Sequence, residues 1–291
     1  MTYSIIIPHK DIPSLLNRLL LSIPKREDIE ILVVDNSNQE LKKEGLDRVE
    51  NVTILYSNKT KGAGCARNVG LKRALGEWII FADADDFFTE KAFDIFDKYK
   101  ESNSDIIYYG VESKKSDTLE KGNRANYYMQ LIADYINNAT EKNSLKLRYG
   151  HFVPWGKMMS RKLIVQNKLR FEEVAASNDI MFSAKAGYCA KTIDVSDSVV
   201  YCVTERENSL TGSKSKKNMF CRFRVNYRQN KFLKKIGMAS YQLDVSWRIY
   251  EAKQFGKIEY LKYILYSVLC MGDFRFIKPH IIQCRYSKKQ K

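Results

Sequence analysis

The sequence predicts an α/β protein: a mostly parallel sheet sandwiched by helices over residues 1–210, then a basic, mostly helical extension over 211–291. Three observations carry that expectation. Apolar β-branched runs alternate with helical periodicities without a hairpin signal between them, the pattern of parallel βαβ units. The apolar run Trp78–Ala82 stops in three carboxylates within four residues, Asp83, Asp85 and Asp86. The formal charge of +15 is confined to the tail: residues 211–291 hold 19 of the 49 Lys and Arg but 4 of the 34 Asp and Glu, while 1–210 balance.

Ser4 to Ile7 is a β-branched run closed by Pro8 and reads as a buried first strand with a loop at its carboxyl end. Pro13 opens a helix whose apolar face is Leu15, Leu16, Leu19, Leu20 and Ile23, and Pro24 ends it. A second strand, Ile29 to Val34, stops at Asp35. Ligands of parallel sheets bind outside the carboxyl ends of the strands, which would gather Pro8, Asp35 and Asp83 along one edge. A third strand, Val52–Tyr56, leads into a glycine turn and a helix in GAGCARNVGLKRAL, with Ala66, Val69, Leu71, Ala74 and Leu75 near helical spacing. Gly62-Ala-Gly64 is not a dinucleotide fingerprint, because Arg67 stands where the third glycine is needed, and no Walker A sequence occurs.

The acids after Trp78–Ala82 admit two readings. They form either a solvated turn capping the helix that starts near Thr89, or a site for a divalent cation, since close like charges at a buried strand end repel and are costly to desolvate. Mg²⁺ or Mn²⁺, which take oxygen ligands and keep positions open for phosphate oxygens, fit the second reading. Downstream the pattern gives a helix to about Lys100, a strand at Asp105–Val111, a polar surface loop at Glu112–Arg124, a helical region from about Tyr127 to Tyr149 and a strand at Val199–Val203. Asp35 and Asp179 each also read as simple helix or turn caps. Trp155 reads as core or as a sugar platform, and His151 as structural.

The order of these motifs resembles the bacterial family 2 glycosyltransferases of the GT-A, or nucleotide-diphospho-sugar transferase, fold. The residues that carry the likeness are G-x-x-x-A-R-N-x-G-L at Gly62–Leu71, the strand ending in Asp83-Ala84-Asp85-Asp86, VVDNSN around Asp35, the W-G-K segment at Trp155–Lys157, and Phe171-Glu172-Glu173 followed by Asn178-Asp179-Ile180-Met181-Phe182. The resemblance implies an inverting, metal-dependent hexosyl- or N-acetylhexosaminyltransferase using a UDP-sugar, with a nucleotide-binding half at 1–112 and an acceptor-side half at 113–210. It implies Pro8, Asp35, Arg67, Asp83, Arg206 and Ser209 as donor contacts, Asp35 meeting the uracil N3–H and Arg67 the base or diphosphate. Asp83 and Asp85 would hold the cation and Asp179 would be the general base. Asn36 and Asn178 depart from the acids more common in the family, leaving one candidate carboxylate at each place. The acceptor class implied is a lipid-linked saccharide or growing surface polysaccharide, as in capsule, O-antigen or exopolysaccharide assembly.

Six cysteines, none in a C-x-x-C pair, point to reduced structural thiols in a cytosolic protein. MTYSIIIPHK lacks a signal-peptide pattern, and the apolar run Tyr263–Gly272 is too short to span a bilayer. The basic aromatic tail suggests an anionic partner, with a peripheral place at the inner face of the cell membrane as the expectation and nucleic acid not expected. Two other classes remain in view. A nucleotidyltransferase needs G-x-G-x-R after the first strand, where this chain has PHKDIP; a non-catalytic nucleic-acid binder accounts for the tail charge but not for the ordered acids.

Overall fold

A computed structural model describes residues 1–206 and 215–271, in two compact units, Met1–Leu210 and Thr211–Lys291. The first unit runs β1 (Tyr3–His9), α1 (Pro13–Leu21), β2 (Ile29–Asp35), β3 (Val52–Tyr56), α2 (Gly62–Arg73), β4 (Trp78–Phe81), β5 (Phe87–Phe88), α3 (Ala92–Asp97), β6 (Ile106–Lys115), α4 (Asn126–Asn137), α5 (Glu141–Gly150), β7 (Lys157–Ser160), α6 (Arg161–Gln166), α7 (Ile180–Cys189) and β8 (Ile193–Glu205). The strands form one mixed, mostly parallel sheet in the order β3-β2-β1-β4-β7-β6-β8-β5, the GT-A arrangement. β7 pairs antiparallel with both β4 and β6, and β5 antiparallel with β8.

Both sheet faces are covered, which is why β1, β2 and β4 read as continuous apolar runs. With a side-chain period of two, Ile5, Ile7, Ile31, Val33 and Ile80 pack in one cluster with Leu16 and Leu19 of α1 and Phe93 and Phe96 of α3. Ile6, Leu32, Ile79 and Phe81 pack in another with Leu71 of α2, Leu163 of α6 and Phe182 of α7. From β1 the chain winds outward through β2 and β3, then returns through α2 to place β4 on β1's other side. Strand order reverses there, and the carboxyl ends of β1, β2 and β4 open a crevice at that switch point.

Several boundaries differ from the sequence expectation. β1 continues through Pro8 to His9, because its ladder with β4 ends at Ile6–Phe81 and the missing proline N–H falls beyond it. The helical region 127–149 is two helices, and Thr140 caps the second by accepting the Asn143 N–H. Glu112–Lys115, expected as loop, extends β6 along β8, where Lys115 Nζ meets Glu205 Oε2 at 2.7 Å. β8 is correspondingly longer than Val199–Val203, and the four-residue β7 had no sequence counterpart.

Close approach explains two glycines of α2. A Cβ on Gly70 would lie 2.5 Å from Ile6 Cγ2, so glycine lets the helix settle on β1. A Cβ on Gly64 would collide with the backbone carbonyl of Glu172 and the side chain of Asn178. Gly64→Ala therefore pushes α2 off the 172–178 segment and is expected to destabilise the protein by about 1–3 kcal/mol in chemical denaturation; an unchanged midpoint would show that this packing is slack.

The second unit contains α8 (Lys216–Lys235), α9 (Ser246–Glu251) and α10 (Lys257–Met271). Ser215 caps α8 by accepting the Asn218 N–H, and the helices close on Phe223, Tyr227, Val245, Ile249, Ala252 and Tyr263. The Asn230 amide holds the incoming chain through both polar atoms, donating to the Leu243 carbonyl at 2.7 Å and accepting the Leu243 N–H at 2.8 Å. No helix among the described residues is long and apolar enough to cross a membrane.

Candidate active site

The acidic turn after β4 is held so that its three carboxylates have different fates. The Asp86 N–H bonds back to the Asp83 carbonyl at 3.0 Å, closing a tight turn. The Asp86 side chain then points inward, 1% exposed, accepting from the Thr204 N–H at 2.6 Å and the Tyr201 hydroxyl at 2.9 Å. Tyr201 also accepts the Asp83 N–H at 2.8 Å, and the Asp85 carbonyl receives Thr204 Oγ1 and Arg18 Nη2. Asp86 is thus an anchor. Asp83 and Asp85, with side chains 25% and 21% exposed, are the two left open to a ligand.

Charge in this turn is only partly compensated. Burial and the Asp83 carboxylate push Asp85 above the ordinary carboxylate range, against the pull of Arg206. Burial and both neighbouring acids push Asp86 well above it. Arg124 opposes the trend: its burial weakens its charge, yet Asp86, Asp83 and Asp85 together raise its pKa. Arg124, assigned to a surface loop on sequence, is brought here by the Glu205 carboxylate, which accepts its backbone N–H and that of Asn123.

Arg67 is buried and spans two segments. One terminal nitrogen donates to Asp83 Oδ1 at 2.5 Å, the other to Asn178 Oδ1 at 2.6 Å, and the guanidinium lies over the Phe171 ring at 5.3 Å. The next residue completes the brace: Asn68 donates to the Phe171 carbonyl at 3.0 Å and accepts the Phe171 N–H at 2.9 Å. The A-R-N triplet therefore fastens the 171–178 segment to the end of β4. Both terminal nitrogens of Arg67 thus meet internal partners, an acid and an asparagine, and each keeps a further N–H.

Asp179 follows directly. Ser177 adopts a left-handed φ of +58°, and the chain then enters α7 with Asp179 at the cap position. Its side chain makes no capping hydrogen bond, so the simple cap reading is not what holds it there. Burial raises its pKa, with Asp83 adding to the rise and Arg67 and Lys157 opposing it. Lys157, at the start of β7, is buried with Nζ 2.5 Å from the His151 carbonyl, and burial pushes it down to about 7 despite the attraction of Asp179. Trp155 is core, 1% exposed and stacked on Tyr201, rather than a sugar platform. His151 is likewise fully enclosed, among Tyr108, Tyr128 and Trp155.

On the nucleotide side, Pro8 is half-buried within β1 beside Val34. Asp35 is 2% exposed, and its Oδ1 accepts from Ser37 Oγ at 2.6 Å, Ser37 N–H at 3.1 Å and His9 Nδ1 at 2.9 Å. The Ile12 N–H donates to His9 Nε2, which places the imidazole proton on Nδ1. Burial alone would raise Asp35, but the bonds from Ser37, Leu41 and His9 hold it below the usual carboxylate range. Oδ2 carries one bond, from the Leu41 N–H at 2.8 Å, and is the oxygen with capacity left. Arg206 stands 3.4 Å from Asp85 Oδ2. Ser209 lies outside the described residues.

The donor set fits a divalent cation: two part-exposed carboxylates, one of them raised by burial and by its neighbour's charge. Among the described residues, no group of three or more His, Cys, Asp or Glu forms a metal cage by itself. Arg124, Arg18, Tyr201, Thr204 and Lys157 were not singled out as site residues on sequence.

The family described as "Glycosyl transferase family 2" matches residues 4–166. The poly(ribitol-phosphate) beta-N-acetylglucosaminyltransferase TarP of Staphylococcus aureus (strain N315) is 30% identical over 232 residues, 73% of this chain and 64% of that protein. TarS of S. aureus (strain Mu50 / ATCC 700699), of the same description, is 28% identical over 71% of this chain and 36% of its own length. The chain therefore spans less than two thirds of either relative. Among solved structures, S. aureus TarS 1-349 in complex with UDP-GlcNAc aligns with a TM-score of 0.59 at 20% identity, over 92% of this chain and 73% of that one. The mannosyltransferase PcManGT from Pyrobaculum calidifontis in complex with GDP-Man and Mn²⁺ aligns with a TM-score of 0.55 at 13% identity, over 97% and 84%. At those identities the structures carry the fold alone.

Proposed function

Because the chain belongs to glycosyl transferase family 2, we propose that it transfers a sugar, with inversion, from a UDP-sugar to a hydroxyl of a lipid-linked or growing surface polysaccharide. The observation that carries the reading is the division of labour in the acidic turn, where Asp86 is buried as an anchor while Asp83 and Asp85 stay open beside Arg206 and within the field of Asp179. Relatives named as poly(ribitol-phosphate) glycosyltransferases and a relative structure with UDP-GlcNAc bound support this donor and acceptor class.

In this mechanism Asp35 Oδ2 accepts the uracil N3–H and Pro8 shapes the floor beside it. Arg67 keeps Asp83 and the 178–179 segment in register. Asp179 takes the proton of the acceptor hydroxyl as that oxygen forms its bond to the anomeric carbon and the bond from that carbon to the diphosphate breaks, giving UDP. Asp83 and Asp85 would hold Mg²⁺ or Mn²⁺, which when bound supplies charge stabilisation for the departing diphosphate. Arg206 and Ser209 add contacts to the same phosphates. The 211–291 extension keeps the chain at an anionic membrane surface, where lipid-linked acceptors reside.

The test is thermal stabilisation by a panel of nucleotide sugars with and without Mn²⁺. UDP-linked compounds are expected to raise Tm above GDP- or CMP-linked ones, and more so with the cation. Equal shifts for all bases would sink the UDP assignment.

A further inference from the structure

The second unit carries an apolar surface that its own core does not use. α10 turns Tyr263 and Ser267 fully inward, with Tyr260, Ile264 and Tyr266 packed beside them against α8 residues Phe220 and Phe223. On the opposite side Ile258, Leu261, Leu265 and Leu269 are 84%, 60%, 57% and 72% exposed. They recur at intervals of three, four and four residues and so line one stripe along the helix. Exposed Lys257 and Lys262 flank the stripe, Lys262 lying over the Phe220 ring at 4.3 Å.

We infer that this stripe of α10 is the element that enters the interfacial layer of an anionic lipid bilayer. The inference deepens the membrane part of the proposed function and names the side chains that do the binding. Charge complementarity selects the occupant. Residues 211–291 hold a net +15, and the segment that follows α10, 272–291, has six Lys or Arg against one Asp, so the stripe runs directly into a cationic sequence. Two copies of such a unit repel each other across any shared face. A single row of four side chains also falls well short of the ~800 Å² per partner of a stable protein interface. A lipid surface imposes neither limit: acyl chains accept the leucines, and anionic headgroups accept the lysines.

Co-sedimentation of the full chain with phosphatidylcholine vesicles, with and without an equal part of phosphatidylglycerol, tests this. Binding is expected to the anionic vesicles only, to weaken with salt, and to fall about tenfold for each leucine replaced in Leu261→Glu and Leu261→Glu/Leu265→Glu. Both positions are exposed, so the variants should keep the wild-type Tm and the wild-type thermal response to nucleotide sugars; that second readout separates failure here from failure of the transferase reading. Anionic-vesicle binding unaltered by the substitutions, or absent from the wild type, would overturn the inference. So would light scattering showing a wild-type dimer that the substitutions dissociate, which would assign the stripe to a second copy of the chain.

Discussion

Asp179→Asn keeps nucleotide-sugar binding and loses transfer, with kcat falling about 10²–10⁴-fold, the range spanned by a positioned general base. The substitution preserves shape and removes only the ability to take a proton. Since the native side chain makes no capping bond, the start of α7 loses nothing that the carboxylate alone supplied. Burial and the field of Asp83 raise the folded-state pKa of Asp179. A base must be deprotonated to act, so the acidic limb of the wild-type kcat/KM profile should sit above the range of a free aspartate and disappear in the variant. The measurements are initial rates across pH and donor-dependent Tm shifts. Near-normal turnover by Asp179→Asn would remove it as the base, whereas loss of donor binding as well would assign it to holding the site together.

Asp85→Ala abolishes the Mn²⁺-dependent part of donor stabilisation while the chain still folds, because Asp86, not Asp85, makes the side-chain bonds that fix the turn. The pH dependence follows from the same carboxylate. Burial and Asp83 raise the folded-state pKa of Asp85 above its unfolded value, so the folded protein holds that proton more tightly than the unfolded chain. Its contribution to stability is complete below the ordinary carboxylate range and is lost as pH rises through the raised value. A divalent cation competes with the same proton, so its stabilising effect should grow over that rise. Without cation, Asp85→Ala should flatten the loss; with cation, it should remove the gain. Persistence of the full Mn²⁺ effect in Asp85→Ala, measured by thermal unfolding at several pH values, would place the cation elsewhere.

Much of the first unit is legible in the sequence. β1, β2 and β4 read correctly because each is buried nearly along its whole length, and local periodicity records burial, whereas β3 exposes Thr53 and Tyr56 and α2 ends at Arg73, short of Ala74 and of Leu75, which lies on the surface. Polar or short elements did not read correctly. Glu112–Lys115 looks like loop by composition and is strand because β8 supplies partners along its whole length. Lys157–Ser160 is too short to have a period and exists because β4 and β6 leave a slot between them. The candidate site divides in the same way. Asp83, Asp85, Arg67 and Asp179 stand in ordered, closely spaced motifs, whereas Tyr201 reaches the Asp83 backbone across 118 residues of chain and Thr204 reaches Asp86 across the same span.

By itself, then, the sequence determined the sheet's central strands, the acids at the end of β4 and the concentration of positive charge after residue 210. Only the tertiary structure decided which acid of the turn is an anchor and which two are open, that Arg67 is a brace, and that four apolar residues of α10 face outward. The physical reason is common to all three: type and spacing are local properties of a chain, but whether a side chain meets a partner, a carboxylate or water depends on residues brought to it from far along the sequence.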